Sequence, residues 1–264
     1  MVYGLWSGDM KRRDFALAAG AVLAAMGSGL TYWRRPRGRR PPRDICEALR
    51  AGDARSVEGF LLEGVDPDVR DHLGNTPLHR GGFAPVGVTR MLLSRGADPN
   101  ARNVFGWTPL HWAVSRGRTD VVELLLKGGA AVDSRFDGGW TPLHWAAIEG
   151  QVSAARALLR HHAAVAARDD RGWTPLHWAA SGGQAKLVSL LVANGADINA
   201  REIQKRLAPL HLAAGGGHLG TTKCLLRLGA RTDVRDFDGR TPGDLAADCG
   251  RATVAALFRP GVGR

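Results

Sequence analysis

The stretch "GWTPLHW" occupies residues 106–112, and the same seven residues recur at 139–145 and 172–178. Aligned on the threonine, the series extends to Thr76, Thr108, Thr141, Thr174, Ala208 and Thr241, with spacings of 32, 33, 33, 34 and 33 residues. A fixed period of this size predicts stacked units, each too small to bury an apolar face without its neighbours. Inside one unit, Thr108 is suited to cap a helix and Pro109 to occupy its first position, where no N–H is required. His111 falls at the third position, an imidazole standing where a capping box has a carboxylate. Leu110, Ala113 and Val114 then form one apolar stripe and Val122, Leu125 and Leu126 a second, which Gly128 and Gly129 terminate. Between units, "NARNVFG", "DSRFDGG", "AARDDRG" and "VRDFDG" carry the Asp, Asn and Gly chemistry of tight projecting turns.

The unit "GWTPLHWAVSRGRTDVVELLLKGGA" from Gly106 resembles an ankyrin repeat, and the resemblance runs from Asp44 through the rest of the chain. It implies an all-α fold, an ankyrin-repeat solenoid of helix-turn-helix units with projecting β-turn or hairpin loops. About seven units are expected: a degenerate first repeat at 44–74, regular repeats over 75–239 and a capping repeat at 240–264. The first repeat keeps Ala48, Gly52, Phe60 and Leu61 in phase but lacks Thr-Pro-Leu-His, and the last has Gly243-Asp244 in place of Leu-His. Polar outer faces are needed only on these two ends. Gly81-Gly82 and Pro85 predict a short, mobile first helix in the second repeat. The sixth repeat, with one extra residue and Ala208 at the cap, is expected to have a deviating loop.

The formal net charge of +11 comes from 36 Lys and Arg against 25 Asp and Glu, and it is unevenly distributed. Nine of the basic residues, but only Asp9 and Asp14 among the acids, precede residue 44, so the repeats are nearly balanced and nucleic-acid binding is not expected of them. Residues 15–33 hold no charge and as a helix would be about 28 Å long, close to the ~30 Å hydrocarbon core. They are assigned with residues 1–33 to a signal peptide or transmembrane anchor, and residues 34–43 to an Arg/Pro-rich linker able to lie near an anionic membrane. Arg12, Arg13 and Phe15 resemble a bacterial twin-arginine signal, which implies export. The basic residues after the apolar run argue instead for an inner-membrane anchor with the repeats in the cytoplasm. Ala25-Met26-Gly27 is the best candidate cleavage site, and Met10 an alternative start.

Cys46, Cys224 and Cys249 have no metal-ligand or disulfide spacing. His79, His111, His144, His177 and His211 invite a metal reading, but stacked helices place equivalent side chains about 8–10 Å apart, too far to share one ion. They are assigned to the scaffold, with no metal and no cofactor. No catalytic motif is present, and identical units do not converge different groups on one point, so no enzyme is expected.

Trp107, Trp140 and Trp173 precede the caps and Trp112, Trp145 and Trp178 follow at N4, the two positions of a hydrophobic staple. Leu207 and Leu212 occupy both positions in the sixth repeat, whereas the second has Asn75 and Arg80. N4 lies about 200° from the buried N2 leucine, so these indoles are expected to face outward and present an aromatic ladder. The family resemblance implies that the residues before Thr-Pro-Leu-His and the turn tips line a concave partner-binding face. That assigns Trp107, Trp112, Trp140, Trp145, Trp173 and Trp178, with Val104, Phe105, Asp137, Asp170 and Arg171 at the tips. The expected function is a monomeric, non-catalytic scaffold binding another protein. The alternative is a chaperone-like factor protecting an exported enzyme.

Overall fold

The computed structural model describes residues 42–259. The segment assigned to a signal or anchor, and all of the basic linker except its last two residues, lie outside the described residues. Among the described residues no helix is long and apolar enough to cross a membrane.

Among the described residues fourteen α-helices follow in seven antiparallel pairs, and a 3-10 turn (Ala256–Phe258) closes the series. They are α1 (Ile45–Ala51) with α2 (Ala54–Leu62), α3 (Pro77–Arg80) with α4 (Val86–Ser94), α5 (Pro109–Ser115) with α6 (Thr119–Lys127) and α7 (Pro142–Ile148) with α8 (Val152–Arg160). The remaining pairs are α9 (Pro175–Ser181) with α10 (Ala185–Ala193), α11 (Pro209–Gly216) with α12 (Leu219–Arg227) and α13 (Pro242–Asp248) with α14 (Ala252–Ala255). First helices pack on first helices and second on second, giving two layers. Leu110, Leu143, Leu176 and Leu210 run through the first layer and Leu125, Leu158, Leu191 and Leu225 through the second, all fully buried. Small residues let the first layer close up: Ala113, Ala146, Ala179 and Ala213 have no exposed surface. The turns between units project as fingers but form no strand among the described residues. A single antiparallel bridge, Phe136 to Trp140, is what remains of the expected hairpins.

The irregular units have local causes. α3 has only four residues because the chain turns at Gly81-Gly82 and Pro85 then starts α4. In the first unit, Asp44 takes over the cap, accepting from the Glu47 N–H at 2.7 Å. At the far end Phe258 closes over Gly243, where a Cβ would lie 2.8 Å from the phenylalanine Cβ.

The second helices of the first six units end on a left-handed residue. It is glycine at positions 64, 96, 129, 195 and 229, but His162 at φ +64° in the fourth unit. An L side chain is strained there, while glycine loses more freedom on folding. His162→Gly is therefore expected to raise stability by about 0.5–1 kcal/mol, checked as an upward shift of the denaturant midpoint with no change of m-value.

Candidate functional site

The histidines tie each unit to the next. In the second to sixth units the backbone N–H of the capping residue donates to Nδ1 of the N3 histidine, at 3.1 Å for Thr76 and His79. An N–H can only donate, so Nδ1 is the acceptor and the proton sits on Nε2. Nε2 then donates across to the following unit: His79 to the Trp107 carbonyl, His144 to Trp173, His177 to Leu207 and His211 to Arg240, at 3.0–3.1 Å. His111 is the exception; its Nε2 is buried without a hydrogen-bond partner, with the Trp140 carbonyl close by but outside bonding geometry. Burial pushes these imidazoles well below their ordinary range, His79 and His177 to about 4 and His111 to about 3. With both nitrogens committed in four of five cases, the row is a structural zipper. Among the described residues no group of His, Cys, Asp and Glu is placed to hold a metal.

The six tryptophans form one zigzag. Staple partners meet within each unit: Trp107 and Trp112 at 5.5 Å between ring centroids, Trp140 and Trp145 at 5.8 Å, Trp173 and Trp178 at 4.7 Å. Each N′ indole also wedges against the N4 indole of the following unit, Trp107 on Trp145 at 5.0 Å and Trp140 on Trp178 at 5.4 Å. Such contacts add about 0.5–1.5 kcal/mol per pair beyond area burial.

This interlock corrects the expectation that the indoles face outward. Trp107, Trp112, Trp145, Trp173 and Trp178 are only 3–7% exposed, and Trp140 is half-buried. N4 does point away from its own helix core, but the preceding unit's indole covers it at Trp145 and Trp178. Trp112 is covered from the preceding unit by Phe83, at 5.9 Å. The aromatic ladder is therefore a seam within the protein rather than a contact surface.

The finger residue five before the cap decides whether the seam's N–H groups are satisfied. In the fifth unit this is Asp169, buried, whose Oδ1 accepts the backbone N–H groups of Arg171 and Trp173. Its Oδ2 accepts both Trp178 Nε1 at 3.0 Å and Trp140 Nε1 at 3.1 Å, joining two units through one carboxylate. In the third unit the position is Asn103; its Oδ1 takes the two backbone N–H groups, but its amide nitrogen donates to Asn75. Trp112 Nε1 is left buried without an acceptor. In the fourth it is Phe136, which packs on Trp107, Trp140 and Trp145 and leaves Trp145 Nε1 equally orphaned. The second unit uses Asp71 with Arg80 at 2.8 Å. Burial raises that carboxyl, but the Arg80 guanidinium and the N–H groups of Asn75 and Leu73 outweigh it and hold it at about 2.

What faces solvent is the row of finger tips. Val104 is 65% exposed and Phe105 43%; Asp137 and Asp170 are exposed and Arg171 is half-buried. Sequence reasoning missed two further tips, Ile203 (68%) and Phe237 (74%), because their units lack the tryptophans that drew attention to the others. Backbone bonds tie successive tips: the Val104 N–H donates to Leu73, Asp170 to Gly138, Ile203 to Arg171 and Phe237 to Lys205, at 2.8–3.3 Å. Among the described residues no such bond joins the third and fourth tips, where Phe136 displaces the usual polar residue. At the other end of α5 from its finger, Arg116 lies 4.2 Å over the Phe83 ring with Nε and Nη2 buried and unpaired. Its charge is destabilised by burial alone.

The family model described as ankyrin repeats (3 copies) matches residues 45–136, 82–169 and 129–202, and that described as ankyrin repeat matches residues 206–237. No curated protein matches the chain significantly.

Proposed function

The chain belongs to the ankyrin-repeat family, and from that premise we propose that it is a non-catalytic scaffold binding a partner protein along its finger row and concave face. Ankyrin repeats are protein–protein interaction domains. The observation that carries the finer reading is the contrast between a buried indole seam and the exposed mixed tips beside it, Val104, Phe105, Asp137 and Asp170. Preordered tips lose little entropy on association, which favours affinity. A monomeric array held at a membrane through residues 15–33 and the basic residues 34–43 completes the proposal, on sequence grounds alone.

The tryptophans are poor test positions, because truncating a buried indole costs about 3–5 kcal/mol whether or not a partner exists. Val104→Ser with Phe105→Ser touches exposed side chains, and its stability should stay within about 0.5 kcal/mol of the parent. In-cell cross-linking with the full chain is expected to lose its main adduct in this variant while the melting curve is unchanged. Undiminished adducts in it and in a companion Asp137→Lys, Asp170→Lys variant would rule the finger row out.

A further inference from the structure

Two cross-unit bonds recur along the array. From the second unit to the seventh, the N3 histidine of one unit donates through Nε2 to a carbonyl of the following unit, and a finger-tip N–H donates back to the carbonyl of the preceding tip. Four of these five junctions have both bonds. The junction between the third and fourth units has neither among the described residues. Nε2 of His111 is buried without a partner, and no bond joins the Asp137 N–H to the Phe105 carbonyl.

The fourth finger supplies the cause. Residues 135–140 read RFDGGW where residues 168–173 of the fifth unit read RDDRGW. Phe136 therefore stands where Asp169 accepts N–H groups, and Nε1 of Trp145 is buried without an acceptor. Gly138 adopts φ +83°, a left-handed turn that its counterparts Phe105 and Arg171 do not make, so the tip backbone follows a different path.

What closes this junction is mainly apolar. Phe136 packs on Trp107 and His111 at 5.0 and 4.9 Å, and Trp107 on Trp145 at 5.0 Å. Ring contacts are satisfied over a range of offsets and tilts, which hydrogen bonds are not. The directional bonds that remain lie together at the finger base and the turn behind it. Arg102 Nη2 donates to the Arg135 carbonyl at 2.6 Å, the Asn100 side chain bonds the Gly129 carbonyl and the Ala131 N–H at 3.0 and 2.7 Å, and the Thr108 and Ser134 hydroxyls meet at 3.4 Å. One edge of the junction is thus tied while the histidine and tip positions are not. Opening any of the other four junctions breaks two bonds. Opening this one breaks neither and admits water to His111 Nε2 and Trp145 Nε1, donors that are costly to leave unbonded.

We propose that the array is hinged between its third and fourth units, so that units one to three and units four to seven move as two bodies about the line through Asn100, Arg102 and Arg135. The hinge follows from the junctions alone, whatever the array binds. Its consequence for the finger row is that the spacing of Phe105 and Asp137 varies, whereas backbone bonds fix the spacing of the other neighbouring tips.

The test measures distances between paired spin labels on the full chain carrying Cys46→Ala, Cys224→Ala and Cys249→Ala. One pair, Arg90→Cys with Arg156→Cys, spans the hinge; the other, Arg156→Cys with Lys223→Cys, spans the fifth unit. All three positions are exposed and are the fifth residue of a second helix, so each pair is two units, roughly 20 Å, apart. The first pair is expected to give a distance distribution about twice as wide as the second. Phe136→Asp with Gly138→Arg turns the fourth finger into the RDDRGW of the fifth. It should narrow the first pair to the width of the second and leave the second unchanged. Equal widths for the two pairs in the labelled chain with its own fourth finger would overturn the proposal. So would a folded double variant whose first pair stays broad. The comparison of pairs needs no change in the finger, so it decides the matter even where the double variant does not fold.

Discussion

Asp169→Ala is expected to destabilise the array by about 3–5 kcal/mol, the largest effect of any single polar substitution proposed for this chain. Four N–H groups converge on this buried carboxylate, two from its own finger backbone and one each from Trp140 and Trp178. Alanine orphans all four in a site closed to water. Asp169→Asn should cost less, about 2 kcal/mol. Its carbonyl oxygen can hold the two backbone groups as Asn103 does in the third unit, but its amide nitrogen turns a donor toward two indole donors. Denaturant unfolding followed by tryptophan fluorescence gives both numbers. Because each unit contacts only its neighbours, the alanine variant should also separate the fourth and fifth units into distinct transitions. Equal midpoints for Asn and Ala would show that the two backbone bonds contribute nothing, and an Asn midpoint equal to the parent's would show the same of the indole bonds.

The second large effect is a loss of stability in mild acid. Five histidines are buried in the neutral form, and burial depresses all of them: His79, His111 and His177 to the values given above, His144 and His211 in the same direction. The unfolded chain titrates near the ordinary 6.5 and so binds more protons than the folded one throughout the interval between. Stability is therefore complete above about pH 6.5 and falls as the pH drops toward 4. By pH 5 the loss is on the order of 2 kcal/mol for each histidine held near 4. Carboxylates such as Asp71 add their own loss only below this window, since their unfolded value is already near 4. Denaturant midpoints measured from pH 7.5 to 4.5 are expected to decline steeply below 6.5. A flat profile down to pH 5 would mean the imidazoles are not held neutral.

The two effects differ in how readily the sequence discloses them. Thr, Pro and His before a helix can be read locally, since a cap involves residues three apart; that Nε2 of His111 is left without a bond could not, because the carbonyl that serves its equivalents belongs to the following unit. The staple positions of Trp107 and Trp112 were likewise legible from spacing. Their burial was not, since the indole that covers Trp145 comes from the preceding unit.

Among the candidate contacts, Val104, Phe105, Asp137 and Asp170 were found by position in the repeat. Ile203 and Phe237 escaped because one lies in the finger that breaks the pattern and the other in the closing unit.

The sequence by itself determined the period, the paired helices, their caps and the places where units end, because each depends on neighbours within one or two turns of chain. Tertiary structure decided which side chains meet solvent. Stacking closes the tryptophan seam, spends the histidine nitrogens on the following unit and lets one carboxylate serve two indoles. Exposure in a solenoid is set by the unit next door, so the same seven residues supply the inside of this protein while the finger tips beside them supply its outside.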